Sequence, residues 1–198
     1  MRFPIVPTAL ALGAVAALTF SLASAQKNDA DEMAEMMKKA GRYMKPGENH
    51  EVLERFLGKW NTEATIFMPG AKPEAGTAEF SWLMPGLFLQ ARSHGSMMGM
   101  PMEGYYLIGY DNYKMSFVTT AVSSVETAMR HFEGDLTPDG KAIISYGTVD
   151  EYLTGEHDKM AKSMWRFLDA DTIVHEVHDL PIGETNTKVF EVKYTRAK

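Results

Sequence analysis

The sequence predicts an all-β fold, an antiparallel up-and-down barrel of about ten strands with a short helix across one end. Two observations carry this prediction. Strand-length segments follow one another at regular spacing, separated by turn signals such as Pro85-Gly86, Asp111-Asn112 and Pro138-Asp139-Gly140. No helical segment lies between them to make the crossover that parallel strands need. A sandwich of two antiparallel sheets is the alternative at this point.

The first 25 residues have the pattern of an export signal. Arg2 precedes an apolar run over residues 9–22, and Ala23-Ser24-Ala25 supplies the small residues of a cleavage site. The apolar run is too short for a permanent membrane span. We therefore predict a signal peptide over residues 1–25, no stable membrane span after its cleavage, and a periplasmic or secreted protein.

The composition excludes several kinds of partner and bond. The chain has 198 residues and a formal net charge of −6, which argues against nucleic acid and anionic membranes as partners. It has no cysteine, so no disulfide can form and burial alone must stabilise the fold. Residues 48–198 are enough for one barrel domain with a sizeable core. The sequence leaves the oligomeric state open.

Two helical patterns precede the strands. Residues 26–47 are acidic and then helical in pattern, and Pro46-Gly47 ends this polar segment. In the second pattern one apolar stripe is formed by Val52, Leu53, Phe56 and Leu57. Gly58 stands where a C-terminal cap belongs. This short helix is predicted to plug one end of the barrel.

After Gly58 the apolar period changes from helical to alternating, as half-buried strands require. The predicted strands cover residues 58–68, 77–83, 88–93, 105–110, 115–122, 128–136, 141–152, 160–168, 172–179 and 188–196. Alternation places these side chains inside the barrel: Phe80, Trp82, Ser163, Trp165, Phe167, Ile173, His175, Val177, Phe190, Val192, Tyr194 and Arg196. It places Glu176 at an exposed outer position.

The predicted interior is rich in aromatic side chains, so it is either a lined pocket or a solid core. In the first reading, a small apolar molecule binds among Trp82, Tyr146, Trp165 and His175, and the imidazole anchors the polar end of the ligand. In the second reading, the barrel is a packed scaffold that works through protein contacts. We favour the first, an exported ligand-binding barrel.

Motifs for catalysis and metal binding do not support an enzyme or a metal-binding protein. The chain lacks the nucleophile elbow, the zinc-helix motif, the phosphate-binding loop and the dinucleotide fingerprint, so we predict that it is not an enzyme. Thioether side chains suit copper(I), and a cluster of them follows His94: Met97, Met98, Met100 and Met102. Because methionine also fills irregular apolar surfaces, we expect a loop or rim role, with no metal and no cofactor.

Several blocks of sequence resemble one family. These blocks are His50, Leu53, Leu57, Gly58 and Trp60, then residues 97–104, Gly109-Tyr110-Asp111-Asn112 and Tyr194-Thr195-Arg196. They resemble a bacterial family of exported lipocalin-like, calycin-type barrels that is classed as a domain of unknown function. The resemblance implies the fold and no activity. It also implies a barrel closure by Gly58, Trp60 and Arg196, with the guanidinium stacked on the indole, which favours the barrel over the sandwich.

Better understood barrels offer a further alternative. The Gly58-Lys59-Trp60 strand is similar to the opening strand of haem-binding nitrobindin-like barrels, which use a histidine near their C-terminal strands, as His175 would be used here. A metal-binding or haem-binding barrel is therefore the alternative to the binding of a small apolar molecule.

Overall fold

The computed structural model describes residues 29–151, 154–180 and 187–198. The predicted signal peptide over residues 1–25 lies outside this part of the chain. By their internal contacts the residues form two compact units, 1–38 and 39–198. Helix α1, Asp29–Gly41, includes the described residues of the first unit. No described helix is long and apolar enough to cross a membrane.

The second unit is a closed barrel of ten strands in which sequence neighbours pair antiparallel and β1 pairs with β10. This confirms the predicted barrel. Helix α2, Glu48–Glu51, and the 3₁₀ helix Val52–Phe56 precede the first strand. The strands are β1 Gly58–Ile66, β2 Glu74–Met84, β3 Phe88–Met97, β4 Met100–Asp111, β5 Ser116–Ser123, β6 Arg130–Leu136, β7 Ala142–Glu151, β8 Glu156–Phe167, β9 Thr172–Asp179 and β10 Thr187–Arg196.

The β3–β4 hairpin extends further than the sequence predicted. The two strands continue to Met97 and Met100, which pair directly. The two residues between them, Met98 and Gly99, have φ angles of 53° and 78°. Positive φ at both central residues is the geometry of the tight hairpin turn that follows the twist of the strands. The methionine-rich segment is therefore a hairpin tip at one end of the barrel.

The 3₁₀ helix closes the opposite end of the barrel, as the plug prediction required. Its Leu53 and Phe56 side chains are fully buried. The Phe56 ring stacks on Phe80 at 5.4 Å and meets the edge of Trp165 at 5.2 Å. Trp60 Nε1 donates a 2.7 Å hydrogen bond to the carbonyl oxygen of Phe56, so the indole nitrogen is satisfied although the ring is buried.

Arg196 seals this end from the last strand. It pairs directly with Trp60 in the β1–β10 register, and its guanidinium carbon lies 4.2 Å from the centre of the indole. The guanidinium donates to the carbonyl oxygens of Leu57 at 2.7 Å and Ala170 at 2.9 Å. Gly58 has a φ of 113°, and a Cβ there would lie 3.0 Å from Arg196 Nη1. Both facts favour glycine at this position.

Two predicted side-chain positions are wrong. Tyr146 was placed inside the barrel, but it is 49% exposed. The inward residues of β7 are the buried Ile143 and Ser145, so alternation turns Tyr146 outward. Glu176 was placed at an exposed position, but it is only 4% exposed, because basic side chains from neighbouring strands cover it.

Candidate functional site

The end of the barrel opposite the 3₁₀ helix opens into a hollow of about 490 Å³. The β-strand register puts this hollow in the lumen, between the inward faces of β1 to β4 and β10 and the turns beside them. We call it the cup. Its wall is mainly apolar and includes Ile66, Met68, Met97, Met98, Met102 and Phe190. Lys72 and Glu74 are its charged lining residues.

A smaller space of about 40 Å³, which we call the annex, adjoins the cup. The two share lining residues, among them Glu74, Met102 and Phe190. The annex is more polar, because hydroxyl groups reach it from Thr62, Ser93, Tyr106 and Tyr194. Burial raises the pKa of both tyrosines above the usual range, so they remain protonated at neutral pH.

An aromatic layer underlies the annex. The Trp165 ring lies 5.7 Å from Tyr106 and 5.6 Å from Tyr194, and its side chain is only 2% exposed. Phe56 from the 3₁₀ helix covers the other side of this layer. The lumen is therefore filled at the closed end and hollow at the open end.

Glu74 begins β2 and lines both the cup and the annex. Its carboxylate accepts hydrogen bonds from the hydroxyl of Ser96 and, at 3.2 Å, from the backbone nitrogen of Gly99. The Ser96 bond is the main reason that the pKa of Glu74 is held below its usual value. These contacts fasten the β3–β4 hairpin tip to β2. The carboxylate therefore has a defined position beside the hollow.

The basic side chains at inward positions of β6 and β8 are already paired with acids. Arg130 lies 2.6 Å from Glu126, and Lys159 lies 2.9 Å from Asp179. Within the part of the chain that the structure describes, Glu74 makes no such ion pair. No salt bridge from the described residues therefore offsets its charge.

Two of the predicted pocket residues, Trp165 and His175, contact each other, but neither lines the cup. The Trp165 and His175 rings stack 3.9 Å apart with an interplanar angle of 6°. His175 Nε2 and Ser163 Oγ form a 2.8 Å hydrogen bond, while His175 Nδ1 has no described hydrogen-bond partner. Burial lowers the pKa of His175 to about 3, so the ring is neutral. This pair forms part of the aromatic layer.

The other two predicted pocket residues lie elsewhere. Trp82 is half-buried and packs against the core near the C-terminal end of β2, the end that the 3₁₀ helix closes. Tyr146 lies on the outer surface, as described above. Sequence reasoning missed Glu74, Met102 and Tyr106 as lumen residues. Alternation continued back along β4 from the buried Ile108 would have placed Tyr106 and Met102 on the inward face.

The methionine-rich segment contributes to the rim and wall of the cup. Met97, Met98 and Met102 line it, whereas Met100 is 54% exposed and is not among its lining residues. Among the described residues, no group of three or more histidine, aspartate or glutamate side chains is arranged to hold a metal ion. Thioether groups are soft and adaptable, so they suit the wall of a pocket for an apolar group.

The Gly109-Tyr110-Asp111-Asn112 block has a structural role. Asn112 Nδ2 donates a 2.8 Å hydrogen bond to the carbonyl oxygen of Lys45, which ties the chain before α2 to the barrel. Asp111 Oδ1 accepts bonds from two backbone nitrogens in the β4–β5 turn. A Cβ at Gly109 would lie 2.8 Å from the Phe88 ring. These residues hold the fold together and do not line the cup.

A second hollow of about 470 Å³ lies against the outward positions Leu107 and Val118. Its polar groups are largely used by the backbone. His50 Nδ1 accepts a 3.0 Å bond from the nitrogen of Gly47, and Asp111 and Asn112 bond to main-chain atoms. The cup is the better candidate for a binding site, because its carboxylate lacks a basic partner and hydroxyl groups reach the adjoining annex.

Solved structures with this fold were found by comparison of coordinates. The crystal structure of Rv2717c from M. tuberculosis matches with a TM-score of 0.54 at 11% identity, covering 78% of this chain and 100% of that one. The S-type phycobiliprotein lyase CPES from Guillardia theta matches with a TM-score of 0.51 at 14% identity, covering 81% and 97%. At these identities the likeness shows the fold alone.

Sequence comparison adds the family. A search of curated proteins found no match to this chain. A family model, described as a protein of unknown function, DUF1579, matches residues 45–196. This span contains the 3₁₀ helix, all ten strands and the residues of the cup. The chain therefore belongs to the DUF1579 family.

Proposed function

We propose that this protein binds a small amphipathic molecule, with the apolar part of the ligand in the cup. The observation that carries the proposal is a hollow of about 490 Å³ inside the lumen, walled mainly by methionine, isoleucine and phenylalanine side chains. Ligand sites usually have volumes of roughly 300 to 1,000 Å³, apolar walls and a few polar groups that fix orientation.

The polar groups favour an amphipathic ligand over a purely apolar one. Glu74 stands at the junction of the cup and the annex, and Tyr106 and Tyr194 are among the hydroxyl-bearing residues that line the annex. A polar atom of a ligand would find hydrogen-bonding partners in these hydroxyls and in the carboxylate. His175, the anchor expected from the sequence, stays in the aromatic layer in this proposal.

The packed-scaffold hypothesis accounts for the closed end of the lumen but not for the open end. The closed end is filled, with Phe56 and Trp165 almost without exposed surface. The open end has room for a ligand, and this difference favours binding over a purely structural role. The lyase from Guillardia theta supports the proposal only as a barrel of the same fold.

We further propose that the protein acts outside the cytoplasm. The support is the charged start, apolar run and small-residue site over residues 1–25. Intact-mass measurement of protein from the cell envelope tests this, since cleavage after Ala25 leaves Gln26 as the first residue. Full-length protein recovered from the cytoplasm would contradict it.

Binding is tested by titration with N-phenyl-1-naphthylamine, a neutral apolar probe that fluoresces in apolar surroundings. We expect micromolar binding by the wild-type protein and at least about tenfold weaker binding by Met102→Trp, because the larger indole would project from the wall into the cup and obstruct the probe. Met160→Trp is the matched control, since Met160 is 46% exposed and follows the outward parity of β8. No binding by wild type, or equal binding by Met102→Trp, would contradict the proposal.

A further inference from the structure

The geometry points to a particular class of ligand for the cup: a cationic amphiphile whose protonated amine lies against Glu74 and whose apolar chain lies along Met97, Met102 and Phe190. This inference rests on the proposed binding function and adds to it the charge of the ligand. It follows from the balance of charge in the lumen, from the bonding of Glu74 and from the aromatic groups around it.

The charge balance comes first. Among the lumen-facing ion pairs of the described residues, Arg130 is matched by Glu126 and Lys159 by Asp179. Glu74 has hydrogen-bond donors but no basic partner in the same part of the chain. The other charged residue of the cup, Lys72, lies exposed between β1 and β2, where solvent screens it. A ligand in the cup therefore meets the carboxylate of Glu74, which hydrogen bonds hold in place, whereas the ammonium of Lys72 is exposed at the rim.

The bonding of Glu74 leaves it able to accept more. An ionised carboxylate offers about four acceptor positions on its two oxygens. In the described residues, Oε2 accepts from Ser96 and Oε1 from Gly99, with a longer contact from Gly99 to Oε2. The backbone of Met98 also forms a hydrogen bond with the carboxylate. These bonds hold the carboxylate in place without exhausting it. An ammonium group, with three donors, complements the remaining positions.

The surroundings of Glu74 also suit a cation. Phe190, Tyr106 and Tyr194 line the annex beside it, and the faces of aromatic rings attract ammonium groups by roughly 0.5 to 2 kcal/mol in general. The thioethers of Met97 and Met102 supply polarizable apolar surface for the rest of the ligand. The protein as a whole is acidic, with a formal net charge of −6, which favours the approach of cations.

An anionic ligand fits these observations less well. Lys72 is exposed at the rim of the cup, so an anionic head in the annex would have to recruit Arg130, the basic residue whose charge acts on Tyr106. Arg130 is already 2.6 Å from Glu126, whose side chain is only 16% exposed. Withdrawing the guanidinium would leave that carboxylate poorly solvated and without its partner. The same head would also lie in the lumen with the negative charge of Glu74.

The test uses three molecules with one chain length and different heads: octylamine, which is protonated at neutral pH, 1-octanol and octanoate. Each displaces N-phenyl-1-naphthylamine from the wild-type protein at low salt. We expect octylamine to bind about tenfold more tightly than its near-isostere 1-octanol, and octanoate to bind most weakly. Raising the salt concentration should reduce the difference.

The variant Glu74→Gln keeps the shape of the side chain and removes its charge. We expect it to bring octylamine to the affinity of 1-octanol while leaving 1-octanol unchanged. The control is Glu79→Gln, because Glu79 is on the same strand but exposed on the outer face, and it should retain the wild-type order.

The outcomes separate the two proposals. If the naphthylamine probe itself does not bind, the proposed binding function fails. If the probe binds but 1-octanol or octanoate equals octylamine in the wild-type protein, the cationic preference alone is overturned. Equal weakening of all three ligands by Glu74→Gln would also overturn it, since Glu74 would then act only by fastening the hairpin tip.

Discussion

The two ends of this barrel are built from the same ten strands but differ in what fills them. At the closed end, the 3₁₀ helix brings Leu53 and Phe56 into the lumen, and Trp60 and Arg196 seal the floor. At the open end, the strands extend past the core and enclose the cup and the annex. The closed end is packed with buried side chains, and the open end is hollow.

The difference has a local cause. The apolar stripe of the 3₁₀ helix supplies bulky side chains to one end, and small inward residues at the other leave room. Gly76 and Gly95 occupy inward positions of β2 and β3 beside the annex. A Cβ at Gly76 would lie 2.5 Å from the carbonyl oxygen of His94, so the close approach of these strands itself requires glycine. The close packing of the β2 and β3 backbones therefore keeps this inward position free of a side chain.

We expect the greatest loss of stability from a substitution at the closed end. Trp60→Ala should lower the free energy of unfolding by about 3 to 5 kcal/mol, because it removes a buried indole and leaves a cavity. Urea denaturation followed by circular dichroism measures this change. Tyr113→Ala, at a side chain that is 76% exposed, is the control and should change stability by less than about 0.5 kcal/mol.

The second effect concerns pH and the aromatic layer. The pKa of His175 is about 3 in the folded protein, below its usual value of 6.5, because burial disfavours the charged ring. Between these values the unfolded chain binds a proton that the folded protein does not, so stability is lost as pH falls from about 6.5 towards 3. We expect a loss of a few kcal/mol from this residue.

Comparison with His175→Phe isolates this contribution. Phenylalanine keeps a flat ring against Trp165 but cannot take up a proton, so the variant should lose less stability than wild type over the same pH range. The measurement is the unfolding free energy at pH 7 and pH 4.5 for both proteins. Equal losses would show that His175 does not carry this pH dependence.

The third prediction concerns the seal that Arg196 forms at the closed end. Arg196→Lys should cost about 1 to 3 kcal/mol, because an ammonium cannot reproduce the planar set of donors that reaches Leu57 and Ala170. Lys193→Arg, at an exposed position on the same strand, serves as the control for changing a basic residue. A seal that tolerates lysine without loss would mean that the stacking on Trp60 matters more than the hydrogen bonds.

The smallest effect on stability is expected in the cup. Phe190 is only half-buried and faces the hollow, so Phe190→Ala should cost clearly less than the roughly 3 to 5 kcal/mol of a buried aromatic. The same variant should weaken binding of the naphthylamine probe. A stability loss as large as that of Trp60→Ala would show that the open end is part of the core, and the contrast between the two ends would fail.

The sequence predicted the closed end better than the open end. The closure could be predicted because the 3₁₀ helix and the two end strands carry clear patterns, and Trp60 and Arg196 follow the alternation of their strands. At the open end, the sequence predicted a strand over residues 77–83, whereas β2 begins at Glu74. Because Glu74 lies outside the predicted strand, alternation did not place it in the lumen.

The positions of Tyr146 and Glu176 were predicted wrongly because alternation within one strand does not determine them. Ile143 and Ile144 are adjacent and both apolar, so alternation alone does not fix which face Tyr146 joins. Glu176 is buried because Arg166 approaches from β8 at 2.7 Å and Lys188 from β10 at 3.3 Å. Such pairs join residues on different strands, and a pattern within one strand does not show them.

We propose that ligands enter the open end and leave the closed end undisturbed. The most direct measurement is the change in backbone amide NMR shifts during titration with octylamine. We predict the largest changes at Glu74, at Met97–Met102 around the hairpin tip and at Phe190–Val192, with small changes at Leu53–Trp60 and His175. Changes centred on Trp82, Trp165 and His175 would contradict the claim and would place the ligand among the residues first predicted from the sequence.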